Sequence, residues 1–352
     1  MPHVNPPALV AEQQRTLRVS ADDERALIER VLLGVRATDE EACTVATILV
    51  EADLRGQSSH GILRLPIIVE RVRAGLIRPR ATPHLVWTSA ALGHVDAGAG
   101  FGHVMALFAM REAVRRAADT GIAAIAVHNN NHIGMLAYYV ESAAAAGAVG
   151  IVLTTSEALV TPYGGAEALI GTNPIAIGFP AEPEPFVLDM ATSATAMGKV
   201  IDRHQRGEAL PGGWAVAADG QPTTSAAAAL RGALLPFGGA KGYGLGLAVE
   251  LLAGALVGAA LGQDVHGTLD AEHPSNKGDL FIAINPGSLP GASDLPTRSG
   301  AYLDGIRSSR TAPGTASVHI PGDQARQRRH KRLQTGIPLS QAAWQAAQEL
   351  VP

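Results

Sequence analysis

Residues 121–134 read GIAAIAVHNNNHIG. The continuous apolar run after Gly121 predicts a buried strand, and the abrupt change to His128-Asn129-Asn130-Asn131-His132 predicts that its carboxyl end opens into a site. Three successive asparagines cannot all be buried comfortably, and polar residues at strand ends line ligand crevices in α/β folds. His128 and His132 are four apart, a spacing that would turn both rings one way on a helix and invite a metal. The asparagines between them predict a turn instead, and no third ligand stands nearby, so no metal is expected.

The pattern extends outward from this stretch. Upstream lie β-like pieces at Leu85–Thr88 and Gly93–Asp96 and a helix over about His103–Thr120; downstream lie a helix over 135–147 and a strand at 149–154, which gives a β-α-β texture. Short strands follow at 175–179 and 186–188, and FIAIN at 281–285 is another buried one. Ser20 caps a helix carrying Leu27, Ile28, Val31 and Leu32, and a second helix from Thr38, with Glu40 and Glu41 in its first turn, ends before Gly56. Residues 60–80 start as a loop and become a helix. Residues 200–224 form a surface excursion, 241–262 an apolar helix, 286–314 a loop with a helical fragment, and 318–332 ends in a dense basic cluster. Residues 1–17 are a polar lead with prolines.

The 352 residues suit two lobes with a cleft between them. With 47% hydrophobic and 17% charged residues and a net charge of −4, neither disorder nor a nucleic-acid footprint is indicated. The lone Cys43 excludes a disulfide framework and fits a reducing compartment. The N-terminus lacks the pattern of a secretory signal, and Glu250 and scattered glycines interrupt the longest apolar stretch, so a cytoplasmic protein without a membrane span is expected.

A cleft-bearing α/β chain invites a dinucleotide fingerprint. Gly98-x-Gly100-x-Gly102 and Gly242-x-Gly244-x-Gly246 both lack the G-x-G-x-x-G spacing after a strand, so a Rossmann domain is disfavoured. Four other segments carry chemistry. Ser59-His60-Gly61 with Arg64 pairs a proton donor with a fork for a carboxylate, although a surface loop with a salt bridge would read the same way. The loop after residue 127 is the second segment. Gly171–Pro174 and then Leu188–Ser193 place Asp189 at a strand end, where it can orient a histidine or a ribose, or simply cap a helix. In Gly239-Ala-Lys241-Gly-Tyr-Gly244, glycines flank a lysine that can approach a phosphate or carboxylate closely, or be solvated at a helix start.

In this order and at these separations, SHGILRLP (59–66), NNNHIGMLAYYVESAAAAGAVGIVLT (129–154), PYGGAEALIGTNPIAIGFP (162–180), VLDMATSATAMGKV (187–200), GGAKGYGLGLAVELLAG (238–254) and IPGDQARQRRHKRLQTGIPL (320–339) resemble the malate/L-lactate dehydrogenase family of the non-Rossmann type. That family includes ureidoglycolate dehydrogenase, 2,3-diketogulonate reductase and Δ1-piperideine-2-carboxylate reductase. The resemblance covers about 19–345. It implies an α/β, two-lobed subunit with an unusual NAD(P)-binding domain, a homodimer, and hydride transfer between NAD(P)H and a 2-oxo or cyclic imino acid; a catalytically silent NAD(P)H-binding paralogue is the alternative from another class.

The division expected is a flexible lead over 1–18, a helical substrate and dimerisation lobe from 19–85 with about 240–352, and a central NAD(P)-binding lobe over about 86–239. By resemblance, His60 is the proton donor with Ser59 assisting, and Arg64 holds the substrate carboxylate. His132 lines the site beside the nicotinamide as a second acid/base, and Asp189 joins the catalytic set. His132, Ile133, Gly134, Ser156, Asp189, Met190, Ala191, Thr192, Lys241, Gly322, Asp323, Arg326 and Arg328 contact the cofactor. NADPH is favoured over NADH, because the arginines of the tail suit a 2′-phosphate. The chain departs from the common family pattern at Ile68, in place of a tyrosine, at Asp279, in place of a histidine, and at Glu157, where some members carry a lysine. The first of these points to a less polar or bulkier substrate.

Overall fold

A computed structural model describes residues 16–292 and 294–352; the expected lead lies outside the described residues except at its end. That end is ordered: Thr16–Val19 is strand β1, paired antiparallel with a C-terminal strand at Ile337–Ser340.

Two capped helices follow as expected. α1 (Ala21–Gly34) starts where Ser20 Oγ accepts the Asp23 N–H, and α2 (Asp39–Arg55) starts with a capping box between Thr38 and Glu41. α2 ends at Gly56, whose φ of 83° is the left-handed cap that glycine adopts freely. Helix α3 (Leu65–Arg73) completes this N-terminal layer. Ile28, Leu32, Val45, Leu49 and Leu65 form one core with Ile337 and Leu339, so the two chain ends share it.

The central sheet contains β2 (His84–Trp87), β3 (Leu92–Asp96), β4 (Ile122–His128), β5 (Val149–Thr154), β6 (Ile175–Phe179), β7 (Phe186–Met190) and a late strand at Asp279–Ile284. The spatial order is β2-β3-β4, then the late strand, then β5-β6-β7. Only β3 and β4 pair in parallel; every other neighbouring pair is antiparallel. The β-α-β texture is therefore real but split. β4 and β5 run the same way, yet a strand from far along the chain lies between them and pairs antiparallel with both. The expected lobe of 19–85 with 240–352 accordingly does not extend to residues 279–284, which complete the central sheet.

Helices α4 (Gly102–Thr120) and α5 (Ala137–Ala145) cover the sheet, with Met105, Met110, Tyr139 and Val140 packed on Ile125, Val127 and Phe281. Close approach depends on glycine at β6, where a Cβ on Gly178 would lie 2.1 Å from the Val140 carbonyl oxygen. β4 was expected to be buried throughout, but burial alternates: Ala123, Ile125 and Val127 are covered, while Ile122 is 48% exposed. Alanines on the second face made an alternating strand look like a continuous apolar run.

The excursion contains α6 (Met197–Gln205), a three-stranded sheet of β8 (Ala215–Val216), β9 (Pro222–Thr223) and β10 (Ala233–Leu234), and the short α7 (Ala226–Ala229). Helix α8 (Ala240–Glu250) continues through a π-turn at Leu251–Ala255 and stops before Gly258, at φ 77°, so the expected helix over 241–262 is shorter. The late strand of the sheet is β11 (Asp279–Ile284). Helix α9 (Leu295–Arg307), helix α10 (Asp323–Thr335), the terminal strand β12 (Ile337–Ser340) and helix α11 (Gln341–Gln348) complete the chain. Among the described residues no helix is long and apolar enough to cross a membrane.

Candidate active site

β4, β5 and β7 point the same way through the antiparallel ladder, which brings their carboxyl ends to one edge of the sheet. That edge carries the 128–134 loop, Ser156 and Asp189–Thr192, three segments that the sequence places far apart. The 58–64 turns reach the same loop from the N-terminal layer.

Ser59, His60 and Arg64 lie on two 3-10 turns, Ser58–His60 and Ile62–Arg64, between α2 and α3. The turns are anchored on Asp53, which accepts the Ile62 N–H at 2.6 Å; a Cβ on Gly61 would stand 1.9 Å from the same carboxylate oxygen, so only glycine fits. Behind Asp53 lies the wholly buried Glu24, whose carboxyl is pushed up to about 10 by burial and by the Asp53 charge. Asp53 itself is raised to about 6 by burial. The pair holds a proton beneath the turns.

His60 Nδ1 lies 3.3 Å from Ser59 Oγ. The His60 and His132 rings meet edge to face with centroids 5.4 Å apart, and His103 lies 6.2 Å beyond His132. Burial, reinforced by the Arg64 charge, lowers His60 to about 4 and pushes His132 well below the ordinary imidazole value. Burial, then the His60 and Arg64 charges, lowers His103 to about 3. All three rings are neutral near pH 7. His132 Nδ1 accepts the Gly134 N–H at 3.2 Å, which assigns its proton to Nε2. His128 turns away from this group and stacks on His94 at 4.5 Å, and among the described residues no cluster of three or more His, Cys, Asp or Glu side chains is arranged to hold a metal.

Arg64 donates from Nε to Ser59 O at 3.0 Å and from Nη1 to Thr268 O at 3.3 Å; among the described residues Nη2 has no partner. Arg64 also lines a cavity shared with Ile67, Ile68, Arg71, Ile77, Phe101, His103 and His132. Glu157 accepts from Thr268 N at 2.8 Å, Thr268 Oγ1 at 3.1 Å and Leu269 N at 2.9 Å, which fixes the 268–269 loop under Arg64. The departure at Glu157 is thus a carboxylate that anchors a wall of the site.

Three residues of this region escaped the sequence reading: His103, Arg71 and Lys277. His103 occupies the first turn of an apolar helix, and its Nε2 is buried without a partner. Arg71 follows Ile68 by one turn on the buried stripe of α3, and its Nη2 donates to Asn131 Oδ1 at 3.0 Å. A charged residue on a buried stripe was the available signal. Lys277 and Asp279 form a buried ion pair, and Asn130 donates to Asp279 Oδ2 at 2.7 Å. Their i, i+2 spacing at a strand start places both on one face.

The remaining sites divide. Gly134, at φ 72°, lies so close to His103 that a Cβ would stand 2.9 Å from Nε2. Ile133 is buried, and its carbonyl accepts the Tyr139 hydroxyl. Ser156 Oγ accepts the Thr172 N–H at 2.9 Å, while Thr192 donates from N to Thr172 O at 2.8 Å. Met190 and Ala191 are half-buried at the strand end, and Lys241 is exposed at the start of α8, whose Gly246 packs on Thr192. Asp189 differs from the catalytic expectation. Its carboxylate accepts the Ala137 N–H at 2.9 Å and so caps α5. Burial raises its pKa above the ordinary carboxylate value, and that cap offsets the rise only in part.

The tail also departs from expectation. Gly322 and Asp323 begin α10 against Val187 and Pro185, at the opposite end of β7 from Thr192. Arg307 grips Asp323 with two bonds at 2.9 and 2.8 Å, and Arg326 joins it at 2.9 Å. Arg328 donates to Arg55 O at 2.8 Å, and Arg329 pairs with Glu51 at 2.7 Å. A 2′-phosphate clamp needs an open guanidinium fork; that of Arg326 is occupied by Asp323 and the Pro185 carbonyl, whereas Arg328 is held at Nε alone.

Residues 19–348 match the malate/L-lactate dehydrogenase family model. The chain is 40% identical over 311 residues to the L-sulfolactate dehydrogenase of Methanocaldococcus jannaschii, covering 88% of this chain and 90% of that one. It is 35% identical over 338 residues to the Δ1-pyrroline-2-carboxylate reductase of Ancylobacter novellus, covering 96% and 98%. Among solved structures, a dehydrogenase from Sinorhizobium meliloti superposes with a TM-score of 0.92 at 47% identity, covering 97% of this chain and all of that one. A family match over nearly the whole chain and a shared fold agree with the half-buried histidine and arginine corner: the chain belongs to the malate/L-lactate dehydrogenase family and is an oxidoreductase.

Proposed function

We propose that the chain moves a hydride between a nicotinamide cofactor and C2 of a small acid, interconverting a 2-oxo and a 2-hydroxy acid. The observation that carries this reading is the placement of Arg64 and His132 on one cavity at the carboxyl edge of the sheet, with the His60 ring edge to face against His132.

The same edge suits the cofactor. Among the described residues His103 Nε2 and Asn130 Oδ1 are buried without partners, which leaves polar groups at the 130–134 loop for a ligand. His132, Ile133, Gly134, Ser156, Met190, Ala191, Thr192 and Lys241 are the residues that would hold the dinucleotide, which supplies or takes the hydride when bound. Arg64 orients the carboxylate of the substrate. His60 moves the proton at Nε2, since its Nδ1 faces Ser59. In the free protein His60 is a neutral base, ready to take the hydroxyl proton of a 2-hydroxy acid. A carboxylate on Arg64 offsets the charge that lowers the His60 pKa, so substrate binding raises the fraction able to donate in the reducing direction.

An apolar wall at Ile68, and the likeness to a pyrroline carboxylate reductase, favour a cyclic imino acid as a second substrate for the same groups. The exposed Leu247, Leu251, Leu252 and Leu256, on α8 and the turn after it, support a homodimer. The lone Cys43 supports a cytoplasmic setting. Oxidation of NADH or NADPH by a panel of 2-oxo and cyclic imino acids tests the reading. Quenching or enhancement of nucleotide fluorescence without turnover of any acid would instead favour the silent binding protein.

A further inference from the structure

Charge and polarity around the cavity define the substrate more narrowly, an inference that rests on the reductase reading. The charged side chains at the cavity are Arg64 and Arg71, with Glu157 acting on both and Asp270 on Arg71. Together they leave no net positive charge for a second anion. Arg71 is largely engaged: Nη1 donates to the carbonyls of Asp270 and His273, and Nη2 to Asn131. Lys277, behind the histidines, is neutralised by Asp279. The histidines add no charge near neutral pH, because burial keeps them unprotonated. Among the described residues Arg64 Nη2 is therefore the terminal guanidinium nitrogen at the cavity that makes no bond within the chain. Facing it, the wall is built from Ile67, Ile68, Ile77 and Phe101, of which the last three are almost fully buried.

We propose that the substrate is a monoanion, a 2-oxo or cyclic 2-imino acid whose carboxylate sits on Arg64 and whose remaining substituent is an uncharged alkyl chain or ring against Ile68 and Phe101. A second carboxylate or a sulfonate would lie against isoleucine and phenylalanine without a counter-charge, and a desolvated, unpaired anion is strongly disfavoured. Malate-like and sulfolactate-like acids are then poor substrates, whatever the names of similar proteins. The substituent is small, because the space between Phe101 and the isoleucines is narrow.

The test measures kcat/KM for 2-oxobutanoate, 3-methyl-2-oxobutanoate, Δ1-pyrroline-2-carboxylate, oxaloacetate and sulfopyruvate, each with saturating NADH and with saturating NADPH. The best uncharged-tail acid should exceed both dianions by at least about tenfold, the least that one unpaired buried charge imposes. Ile68→Lys should move that ratio toward the dianions by at least about tenfold, and Ile67→Lys, at a less buried position, provides the same test if the first variant fails to fold. A wild-type preference for oxaloacetate or sulfopyruvate overturns the monoanion assignment while leaving the reductase reading intact. Ratios unmoved by lysine at either position also overturn it. No turnover of any acid with either nucleotide overturns both.

Discussion

Two arginine-bearing regions looked equally able to bind an anion, and they behave in opposite ways. Arg64 keeps one guanidinium nitrogen without a partner beside a cavity, whereas the fork of Arg326 on α10 is filled by Asp323 and the Pro185 carbonyl, and Arg329 is paired with Glu51. Whether an arginine is available depends on which acceptors the fold brings to it, and those acceptors lie up to 278 residues away in the chain. The cluster on α10 fastens that helix to α2 and to the start of β7. It also stands behind the 58–64 turns, since Arg332 donates to the Asp53 carbonyl.

The largest expected effect lies at the open corner. His60→Ala should lower kcat by about a hundredfold or more, the usual scale for a lost general acid or base, while nucleotide binding followed by fluorescence persists. An unchanged kcat would move the role to His132. Arg64→Lys comes next. It keeps the charge and loses the planar fork, so kcat/KM for a carboxylate substrate should fall by the equivalent of about 1.5 to 3 kcal/mol, with little effect on an ester analogue. Equal losses for acid and ester would make Arg64 structural, like the arginines of α10.

Beneath the corner, the Glu24 carboxyl titrates at about 10 in the folded chain against 4.5 as its reference. A raised carboxyl pKa contributes stability below the unfolded value and loses it as pH rises toward the folded one. Glu24→Gln should therefore raise Tm relative to wild type more at about pH 9 than at about pH 5, by the equivalent of about 1 kcal/mol or more. A pH-independent difference would show that Glu24 carries no proton there. The smallest effect belongs to α10. Arg326→Ala should change the ratio of NADPH to NADH dissociation constants by less than about twofold and lower stability by about 1 kcal/mol, as loss of a partly exposed pair and one carbonyl contact would. A selective loss of NADPH affinity would restore the phosphate clamp.

The helices and most strands were legible because their signals are local: Ser20 and Thr38 cap as written, and the apolar spacing of α1 and α2 is regular. Strand order was not, because β11 enters between β4 and β5 through pairings that no local pattern encodes. The site was half legible. Ser59, His60, Arg64 and His132 stand in conspicuous polar motifs, whereas His103, Arg71 and Lys277 are single polar residues on faces that otherwise look like core. Asp189 reads the same as an orienting acid or a cap, and only the nearness of the Ala137 N–H decides between them.

The central claim is that His60 is a half-buried, neutral base beside Arg64, and the pH dependence of kcat/KM for oxidation of a 2-hydroxy acid tests it most directly. That profile reports the free enzyme, so its acid limb should fall with a midpoint near the depressed value of about 4, and it should be lost in His60→Ala. A limb near the ordinary histidine value of about 6.5, or one that His60→Ala leaves in place, would contradict the account.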